Sequence, residues 1–374
     1  MLQGYWELVQ ADAQYKVSKA LGQYVIFIIF LLGFLGNLLS FAVMVRKSMR
    51  ASSTAFYMAA LALADTMVLL VGCLRCWVVE VWNVDLLNDS AAACYIVNFL
   101  QYWSFSFAVW ILVIMTIDRV IVVQNPLKAH LYATRRRAAL SLFIVSLICA
   151  GINIHFFFTT TYDERLVCTA KREYLEFYRY VWSWVDATVY SFLPFVSLLV
   201  LNTLIIISLK RANERKRRLT HEFNTRRRNE QNNTVNPHKL TIMLLSITCA
   251  FIVLTAPAMV IHIIREKGEP FFDLNKPKDM AKYILTRQIS RILLYLNHSV
   301  NFFLYCITGA KFRRELFLMI RCVSTRDLYR RSVSTSIKTI VQATVENEGI
   351  NNLAMSHHNS CNSSDSNAIN QIQQ

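Results

Sequence analysis

The chain has 374 residues, of which 55% are hydrophobic and 17% charged, and its formal net charge is +16. Its mean hydropathy of +0.34 and the gathering of apolar residues into bilayer-length blocks exclude an ordinary soluble domain, whose apolar residues follow an amphipathic pattern. Barrel strands of roughly 10 residues with alternating polarity do not fit these blocks either. The composition therefore predicts an all-α membrane protein.

Seven apolar blocks follow one another along the chain, each long enough for a helix to cross the roughly 30 Å hydrocarbon slab. Lipid offers no partner to backbone groups, so helices are expected for all seven. We predict a seven-transmembrane helix bundle over residues 24–309, a short amphipathic helix at 310–322 and a disordered cytoplasmic tail at 323–374. The predicted spans are Tyr24–Val45, Thr54–Trp82, Ala91–Val123, Ala138–Thr160, Val181–Leu209, Lys239–Ile264 and Met280–Ile307.

Basic residues set the orientation, because short loops rich in Lys and Arg stay in the cytoplasm. With residues 1–23 placed outside as an extracellular amino terminus, the inner loops and tail hold 24 of the 40 basic residues. Much of the net charge is then a topology signal and an attraction to anionic membrane lipid, and it indicates no nucleic-acid partner. No separate signal peptide is visible in the first 23 residues. We expect a multi-pass plasma-membrane protein.

The outer segments carry two cysteines and one glycosylation sequon. Cys94 tops the third span and Cys168 lies between the fourth and fifth, so a disulfide would pin that loop across the bundle mouth; two free thiols are the alternative. Asn88 begins an Asn-Asp-Ser sequon and is a candidate for glycosylation. On the inner side, Cys322 follows the amphipathic stretch and is a candidate for palmitoylation, with a plain thiol as the alternative.

Three charged residues stand out at the inner end or the middle of the predicted spans. Asp118 and Arg119 end the third span, and an acid and a base at a membrane edge cost free energy unless they pair or act. We interpret them as functional, with a salt bridge that only anchors the helix as the alternative. Asp65 is a lone carboxylate near the bilayer middle, where burial demands a partner or a proton.

A series of markers in order along the chain resembles the rhodopsin-like G-protein-coupled receptor family, from Tyr24 to Cys322. The segments 297–314 and 254–257 are similar to invertebrate neuropeptide receptors of the FMRFamide-like group. The markers are Gly36-Asn37, Leu61-Ala62-Leu63-Ala64-Asp65, Cys94, Asp118-Arg119-Val120, Pro126-Leu127, Pro194, Phe251, Pro257, Asn301 to Tyr305, and Lys311-Phe312-Arg313-Arg314.

The resemblance implies a receptor rather than an enzyme, with no catalytic residue. It implies that Asp118 holds Arg119 at rest and that Arg119 receives a heterotrimeric G protein when the sixth helix moves outward. Pro257 interrupts helical hydrogen bonding and is a candidate hinge, a static bend being the alternative. Tyr305 is expected to swing inward.

The resemblance also implies that Asp65 coordinates a sodium ion, the one cofactor considered, together with neighbouring polar groups such as Asn37, Asn297 and Asn301. His298 enters this region. We hypothesise that protonated His298 partly replaces the sodium ion and makes signalling pH-sensitive. The alternatives are an ordinary sodium site and a His298 that bonds only to backbone.

Several residues depart from the family pattern. Asn202 stands where Tyr is common, Thr255 stands where many members carry Trp, and the foot of the sixth helix lacks an acid that could hold Arg119. We therefore predict a resting state held mainly by packing, with appreciable ligand-free signalling. Phe302 follows Asn301 in place of the usual Pro, so we predict a straighter seventh helix at that step.

Helical spacing directs nine side chains toward the outer mouth of the bundle. Charges of both signs in one cavity suit a peptide ligand better than an amine, and Gln101 occupies the position where amine receptors carry Asp. The alternatives are mutual pairing of the charges, Glu80 with Arg75 or Asp186 with His262, and a small acidic or zwitterionic metabolite as ligand. The candidate ligand-binding residues are Arg75, Glu80, Gln101, Phe105, Asp186, His262, Arg287, Arg291 and Tyr295.

The tail is rich in Ser, Thr and Asn and includes the basophilic kinase pattern Arg330-Arg331-Ser332-Val333-Ser334. We expect a receptor kinase to phosphorylate it and so create an anionic patch for arrestin. A different class of function is a transporter that uses Asp65, Arg291 and His298. Transporters usually show internal repeats and discontinuous helices, which this sequence lacks.

Overall fold

A computed structural model describes residues 2–50, 52–125, 129–162, 167–222, 237–267 and 272–321. The described residues are helical apart from their connections and one pair of short strands. The α-helices are α1 (Leu2–Ala11), α2 (Ala13–Ala20), α3 (Ile26–Met44), α4 (Ser53–Val68), α5 (Arg75–Trp82), α6 (Ala91–Gln124), α7 (Ala129–Tyr132), α8 (Arg135–Asn153), α9 (Phe156–Thr159), α10 (Ser183–Asp186), α11 (Leu193–Glu222), α12 (Pro237–Lys267), α13 (Pro277–Ser299), α14 (Asn301–Thr308) and α15 (Ala310–Ile320).

Wider turns of π-helix connect several of these helices, and 3₁₀ turns cap others. The π turns are Leu21–Val25, Leu69–Leu74, Phe177–Trp182 and Ala187–Phe192, and the 3₁₀ turns are Leu86–Asn88 and Arg172–Tyr174. The first span is thus α2 with α3, the second α4 with α5, the third α6, the fourth α8 with α9, the fifth α10 with α11, the sixth α12 and the seventh α13 with α14.

All seven predicted spans are helical, and the predicted all-α bundle is confirmed. By length and composition the first five are apolar enough to cross a membrane. The sixth contains a shorter apolar stretch, Met243–Ala258, and the seventh carries Lys282, Arg287 and Arg291 in its outer half. We call the side of the bundle that bears the amino terminus its outer face.

Polar caps and glycines fix where the spans begin and how closely they approach. Ser90 caps the third span by accepting a bond from the Ala93 amide at 3.2 Å, which satisfies one of the amides left over at a helix start. Gly33 lets the first span meet the seventh, since a Cβ there would lie 2.3 Å from Ser299 Oγ. This close contact sets the first and seventh spans around the polar centre described below.

One cluster of buried apolar side chains lies in the outer half of the bundle, while large aliphatic side chains such as Leu31 and Leu147 are exposed on its surface, as in a lipid-facing surface. The buried members of the cluster come from the first, second, third and seventh spans. They are Ile26, Ile29, Val68, Leu69, Cys73, Phe105 and Tyr295. The cluster therefore forms directly above the buried carboxylate of the second span.

The outer face carries a hairpin and the amino-terminal helices. Strand β1 (Thr160–Tyr162) pairs antiparallel with β2 (Cys168–Ala170), with Tyr162 opposite Cys168. The amino-terminal segment, which the sequence shows only as mixed and polar, folds into α1 and α2. The Asp12 carboxylate caps α2 by accepting from the Gln14 amide at 2.8 Å, and the Tyr5 hydroxyl donates to the Leu274 carbonyl at 2.5 Å.

The seventh span is interrupted at Val300, between α13 and α14. Val300 keeps right-handed helical dihedral angles (φ −80°, ψ −15°), and its amide bonds the Leu296 carbonyl at 3.0 Å, so a straighter helix at this step stays a prediction. The residues on either side are held by other spans: the Ser299 hydroxyl bonds the Ile29 carbonyl at 3.2 Å, and the Asn301 amide bonds Asp65. These bonds join the seventh span to the first and second spans at this step.

Helix α15 follows the seventh span, as the amphipathic pattern predicts. Phe312 is buried while Lys311 and Arg313 are exposed, and the Arg46 Nε lies 3.0 Å from the Glu315 carboxylate, which joins this helix to the end of the first span. The last described residues belong to a separate unit that begins at residue 317, in which the Arg321 guanidinium lies 4.2 Å from the Phe317 ring centroid.

Candidate functional site

The charged pair at the inner end of the third span meets the second span. Arg119 Nη2 lies 2.5 Å from Asp118 Oδ2, and both side chains bond the Ser53 hydroxyl, at 3.3 and 3.1 Å. Arg119 is buried, and its Nε has no partner among the described residues. Sequence reasoning missed Ser53; its place as the first residue of α4, facing the inner end of the third span, was the only signal.

A buried polar centre surrounds Asp65 in the second span. The two carboxylate oxygens are each 2.7 Å from a side chain of the seventh span, Oδ1 from His298 Nδ1 and Oδ2 from Asn301 Nδ2. The Asn37 amide donates to the His298 carbonyl at 3.0 Å. All four residues are buried. The structure thus brings these four predicted residues together. Asn297 is also buried, beside His298 in α13, but it is not among the described hydrogen-bond partners of Asp65.

This arrangement tests the fit of a sodium ion. Each carboxylate oxygen already has a side-chain nitrogen at 2.7 Å, and Ala108, buried on the third span, offers no oxygen ligand. The donor set therefore fits an imidazole better than a resident cation. An acid and an imidazole at 2.7 Å in an apolar interior satisfy one another's hydrogen-bonding needs.

An aromatic layer lies above the polar centre. The Phe105 ring is 5.3 Å from the His298 ring and 6.0 Å from the Tyr295 ring, centroid to centroid. The Tyr190 hydroxyl lies 3.5 Å from His298 Nε2. Sequence reasoning missed Tyr190, although it follows Asp186 by four residues and so shares its helix face.

A cavity of about 170 Å³ opens between the fifth, sixth and seventh spans directly beside this layer. Its lining mixes one carboxylate and several hydroxyls with apolar groups, as is usual for small-molecule and peptide side-chain sites. The lining residues are Asp186, Ala187, Tyr190, Ser191, Phe192, Thr255, Ala258, Ser290 and Leu294.

The outer charges pair differently from the pairing that the sequence suggests. Arg75 does not pair with Glu80: its guanidinium donates to both oxygens of Asp85, at 2.7 and 2.9 Å, and to Gln101 at 2.9 Å. This hydrogen bonding from Arg75 holds the pKa of the Asp85 carboxyl below its usual range. Glu80 instead lies 3.6 Å from Arg291. The sequence did not indicate the pairing of Arg75 with Asp85, because Asp85 lies in a loop whose path the sequence does not fix.

The two outer ion pairs differ in tightness. The Arg75 guanidinium makes a bidentate pair that ties the second span to the adjoining loop, a geometry that is strong and specific. Arg291 meets Glu80 at a longer distance and donates to Gln288 at 3.2 Å. Arg287 lies one turn earlier on the same helix. The side chain of His262, a further predicted ligand residue, lies outside the described residues.

Two predicted switch residues lie in the sixth and seventh spans. Pro257 is inside α12, two residues after Thr255, which lines the cavity. Tyr305 is buried in α14, its ring 5.5 Å from Phe312, and its hydroxyl has no partner among the described residues. An unpaired buried hydroxyl is costly. Tyr305 therefore stands in a position from which a new partner would stabilise a second arrangement.

The predicted disulfide joins Cys94 to Cys168 and is confirmed, with Cα atoms 5.4 Å apart. It fixes strand β2 to the outer end of the third span. The Asn88 side-chain oxygen accepts from the Cys168 amide at 2.8 Å, so the candidate glycosylation residue supports this same hairpin. Cys322 and the tail lie outside the described residues.

These features define a class: a seven-helix membrane receptor, with an outer cavity, a buried polar centre and an inner charged switch built on the same spans. The family described as 7 transmembrane receptor (rhodopsin family) matches residues 36–305 of the chain. The chain belongs to this family. Its members are receptors and not enzymes, act without a resident cofactor in general, and are multi-pass proteins of the plasma membrane.

Three relatives are similar over most of the chain. The FMRFamide receptor of Drosophila melanogaster is 26% identical over 324 residues, which cover 78% of this chain and 52% of the relative. A probable G-protein coupled receptor of Caenorhabditis elegans is 23% identical, covering 92% of this chain and 80% of the relative. The thyrotropin-releasing hormone receptor of Bos taurus is 25% identical, covering 84% and 83%. The chain thus spans about half the length of the Drosophila receptor.

Proposed function

We propose that the protein is a receptor for an extracellular neuropeptide and signals to a cytosolic heterotrimeric G protein by helix rearrangement. The observation that carries this proposal is the cavity that Asp186 lines between the fifth, sixth and seventh spans, together with the charged Glu80–Arg291 pair of the second and seventh spans. Two of the similar relatives are named for a peptide and a hormone, FMRFamide and thyrotropin-releasing hormone. The concentration of basic residues on the opposite side supports an extracellular amino terminus.

The outer charges divide into a structural set and a ligand-binding set. Arg75 uses three donors on Asp85 and Gln101, so we assign it to positioning the outer loop. Arg291 and Glu80 are a longer, partly exposed pair, and such a pair costs little to separate. Arg291 then binds a carbonyl or carboxylate of the peptide and Asp186 binds a basic side chain, with Phe105 and Tyr295 forming the apolar floor.

A peptide screen tests the ligand class. Cells expressing the chain are exposed to FMRFamide, its free-acid form and a library of short amidated peptides, and nucleotide exchange is measured. We expect an amidated peptide to activate the receptor, and Arg291→Ala and Asp186→Ala to raise the required concentration at least tenfold at equal surface expression. Activation by small acidic metabolites in place of every peptide would contradict the proposal and support the alternative ligand class.

Signal output is assigned to the inner switch. The Arg119 guanidinium, held by Asp118 and Ser53 at rest, becomes available to the G protein when the sixth span moves. Arg119→Ala is expected to abolish nucleotide exchange while surface expression and peptide binding persist. Full exchange by this variant would refute the assignment. The matched variant Arg135→Ala alters a guanidinium 5.0 Å from the Phe56 ring, outside the switch, and should leave exchange intact.

We further propose that protonated His298 partly replaces the sodium ion beside Asp65 and makes signalling pH-sensitive. Each of the two oxygens that would bind sodium has a side-chain nitrogen at 2.7 Å, and a histidine side chain can carry a positive charge. Peptide affinity should therefore respond less to replacement of sodium chloride by choline chloride than to a change from pH 6 to pH 8. His298→Ala should remove this pH response. Sodium-sensitive affinity in the unmodified receptor that persists in His298→Ala would indicate an ordinary sodium site.

The tail and the inner surface are assigned from sequence alone. We propose that the serines near residue 332 are phosphorylated by a receptor kinase and recruit arrestin, that Cys322 is palmitoylated, and that the basic inner surface contacts anionic lipid. Cys322 and the serines near residue 332 lie outside the described part of the chain. Loss of arrestin recruitment after truncation at residue 323, with G-protein signalling retained, is the expected result.

A further inference from the structure

A buried side-chain hydrogen bond joins the fifth span to the sixth in their inner halves. Asn202 Nδ2 donates to Thr248 Oγ1 at 2.7 Å, and the Thr248 hydroxyl in turn lies 3.0 Å from the Leu245 carbonyl of its own helix, to which it donates. Thr248 is fully buried and Asn202 nearly so. The threonine hydroxyl therefore has both its acceptor and its donor capacity used.

The bond is a polar tie between the fifth and sixth spans that does not involve Arg119. The described partners of Arg119, Asp118 and Ser53, belong to the third and second spans. The foot of the sixth span begins Pro237-His238-Lys239 and offers no carboxylate to Arg119. A polar contact that holds the sixth span in place has to come from elsewhere, and the Asn202 amide supplies one.

The hydrogen bond between Asn202 and Thr248 can also be replaced by other hydrogen bonds at a small cost in free energy. Asn202 Oδ1 is buried and has no partner among the described residues, and the same is true of the Tyr305 hydroxyl and Arg119 Nε. Buried polar atoms without partners disfavour the arrangement that contains them. The resting packing thus gains one hydrogen bond between helices but leaves these three buried polar atoms without a partner among the described residues. The gain and the cost offset one another, which favours two helix arrangements of similar free energy.

We propose that the Asn202–Thr248 hydrogen bond is a latch that holds the sixth span in its resting position and sets the level of ligand-free activity. Asn202 and Thr248 are positioning residues, since they act on the location of the sixth span and touch no ligand. The proposal adds one polar contact to the predicted resting state held mainly by packing, and it rests on the proposed coupling to a G protein. One neutral hydrogen bond shifts an equilibrium by up to about tenfold.

The test is nucleotide exchange by a purified heterotrimeric G protein with the receptor in nanodiscs and no ligand added. Thr248→Val keeps the side-chain shape and removes the hydroxyl, and exchange is expected to rise about three- to tenfold. Thr248→Ser keeps a hydroxyl and should stay within twofold of the unmodified receptor. Thr203→Val is the matched control, because Thr203 neighbours Asn202 but bonds only the Leu199 carbonyl of its own helix in the described geometry; it too should stay within twofold.

A gain of activity separates a latch from a merely structural contact, since loss of a structural contact lowers expression and activity together. Exchange by Thr248→Val at or below the unmodified level, or an equal rise in Thr203→Val, would overturn the proposal. Adding Arg119→Ala to Thr248→Val should return exchange to the level of empty nanodiscs, which shows that the gain passes through the switch.

A second readout does not depend on the G protein. Met243 is buried on the sixth span, five residues before Thr248. In Met243→Cys, opening of the inner end exposes the new thiol and raises its rate of maleimide labelling. The labelling rate of the unsubstituted chain is subtracted as background. Labelling should be at least threefold faster when Thr248→Val is also present. Faster labelling with no nucleotide exchange in any variant would reject the G-protein proposal and keep the latch, whereas unchanged labelling would reject the latch.

Discussion

The pair formed by Asp65 and His298 gives the largest expected effect on stability. Both residues are at most 2% exposed, and the carboxylate has two partners, His298 Nδ1 and Asn301 Nδ2, each at 2.7 Å. His298→Ala removes one partner and leaves half of the carboxylate unsatisfied in an apolar interior. Breaking a buried pair costs about 3–5 kcal/mol, and because Asn301 remains, we expect about 3 kcal/mol.

With an unfolding entropy of about 2.1 cal/mol/K per residue over the predicted bundle, residues 24–309, that loss corresponds to a fall of about 5 °C in the melting temperature. The assay is thermal unfolding of the purified receptor in one detergent at a fixed heating rate, since unfolding of such proteins is often irreversible. Tyr190→Phe is the matched control: its hydroxyl is 3.5 Å from His298, at the limit of hydrogen bonding, so its loss should cost less than about 1 kcal/mol.

A double-mutant cycle decides whether the two residues act as a pair. Asp65→Asn combined with His298→Ala leaves no unpaired charge, so the double variant should be more stable than the sum of the single effects predicts, by about 2 kcal/mol. Additive effects, or a His298→Ala protein that melts within 2 °C of the unmodified receptor, would refute the reasoning.

Three further outcomes follow from contacts outside the polar centre. The pKa of Asp85 is lowered in the folded protein. Its contribution to the free energy of unfolding is therefore complete above the ordinary Asp pKa of about 3.9 and is lost as pH falls through the lower folded value. Asp85→Asn should flatten the dependence of the melting temperature on pH in that acid range. Replacing Cys168 by Ser opens a loop of sequence separation 74 and should cost about 4.5 kcal/mol by the loop-entropy relation, seen as reduced surface expression and melting temperature, whereas unchanged values would contradict it. Arg46→Ala leaves the buried Glu315 carboxylate without its 3.0 Å partner and should cost about 1–3 kcal/mol, with Arg46→Lys recovering part of that loss in the same melting assay.

Membrane-scale features of this chain can be predicted because they depend on local composition. Seven apolar blocks, the basic inner segments and the markers around Asp118 and Arg119 predict the bundle and the switch. The Cys94–Cys168 disulfide follows from topology, since only these two cysteines fall on the outer side. Each of these inferences uses the chemistry of a segment and the sidedness of a membrane, without needing the distance between any two helices.

Pairing between distant residues could not be predicted in the same way. Arg75 had Glu80 five residues away as a plausible partner, yet it binds Asp85, whose loop turns back over the second span. The bonds of Ser299 to the first span and of Asn301 to the second span likewise have no signal in the local sequence. Asn202 was noticed only as a departure from the family, and its partner Thr248 was not noticed at all.

The sequence by itself thus determined that the chain crosses the membrane seven times, which side is basic, and which residue types stand at the ends and the middle of each helix. Tertiary structure alone decided which polar group meets which: Asp65 with His298, Asn202 with Thr248, Arg75 with Asp85. The physical reason is the different distance over which the two kinds of interaction are decided. Burial in lipid acts on each segment separately, whereas a hydrogen bond depends on fractions of an ångström between side chains that only the packed helices set.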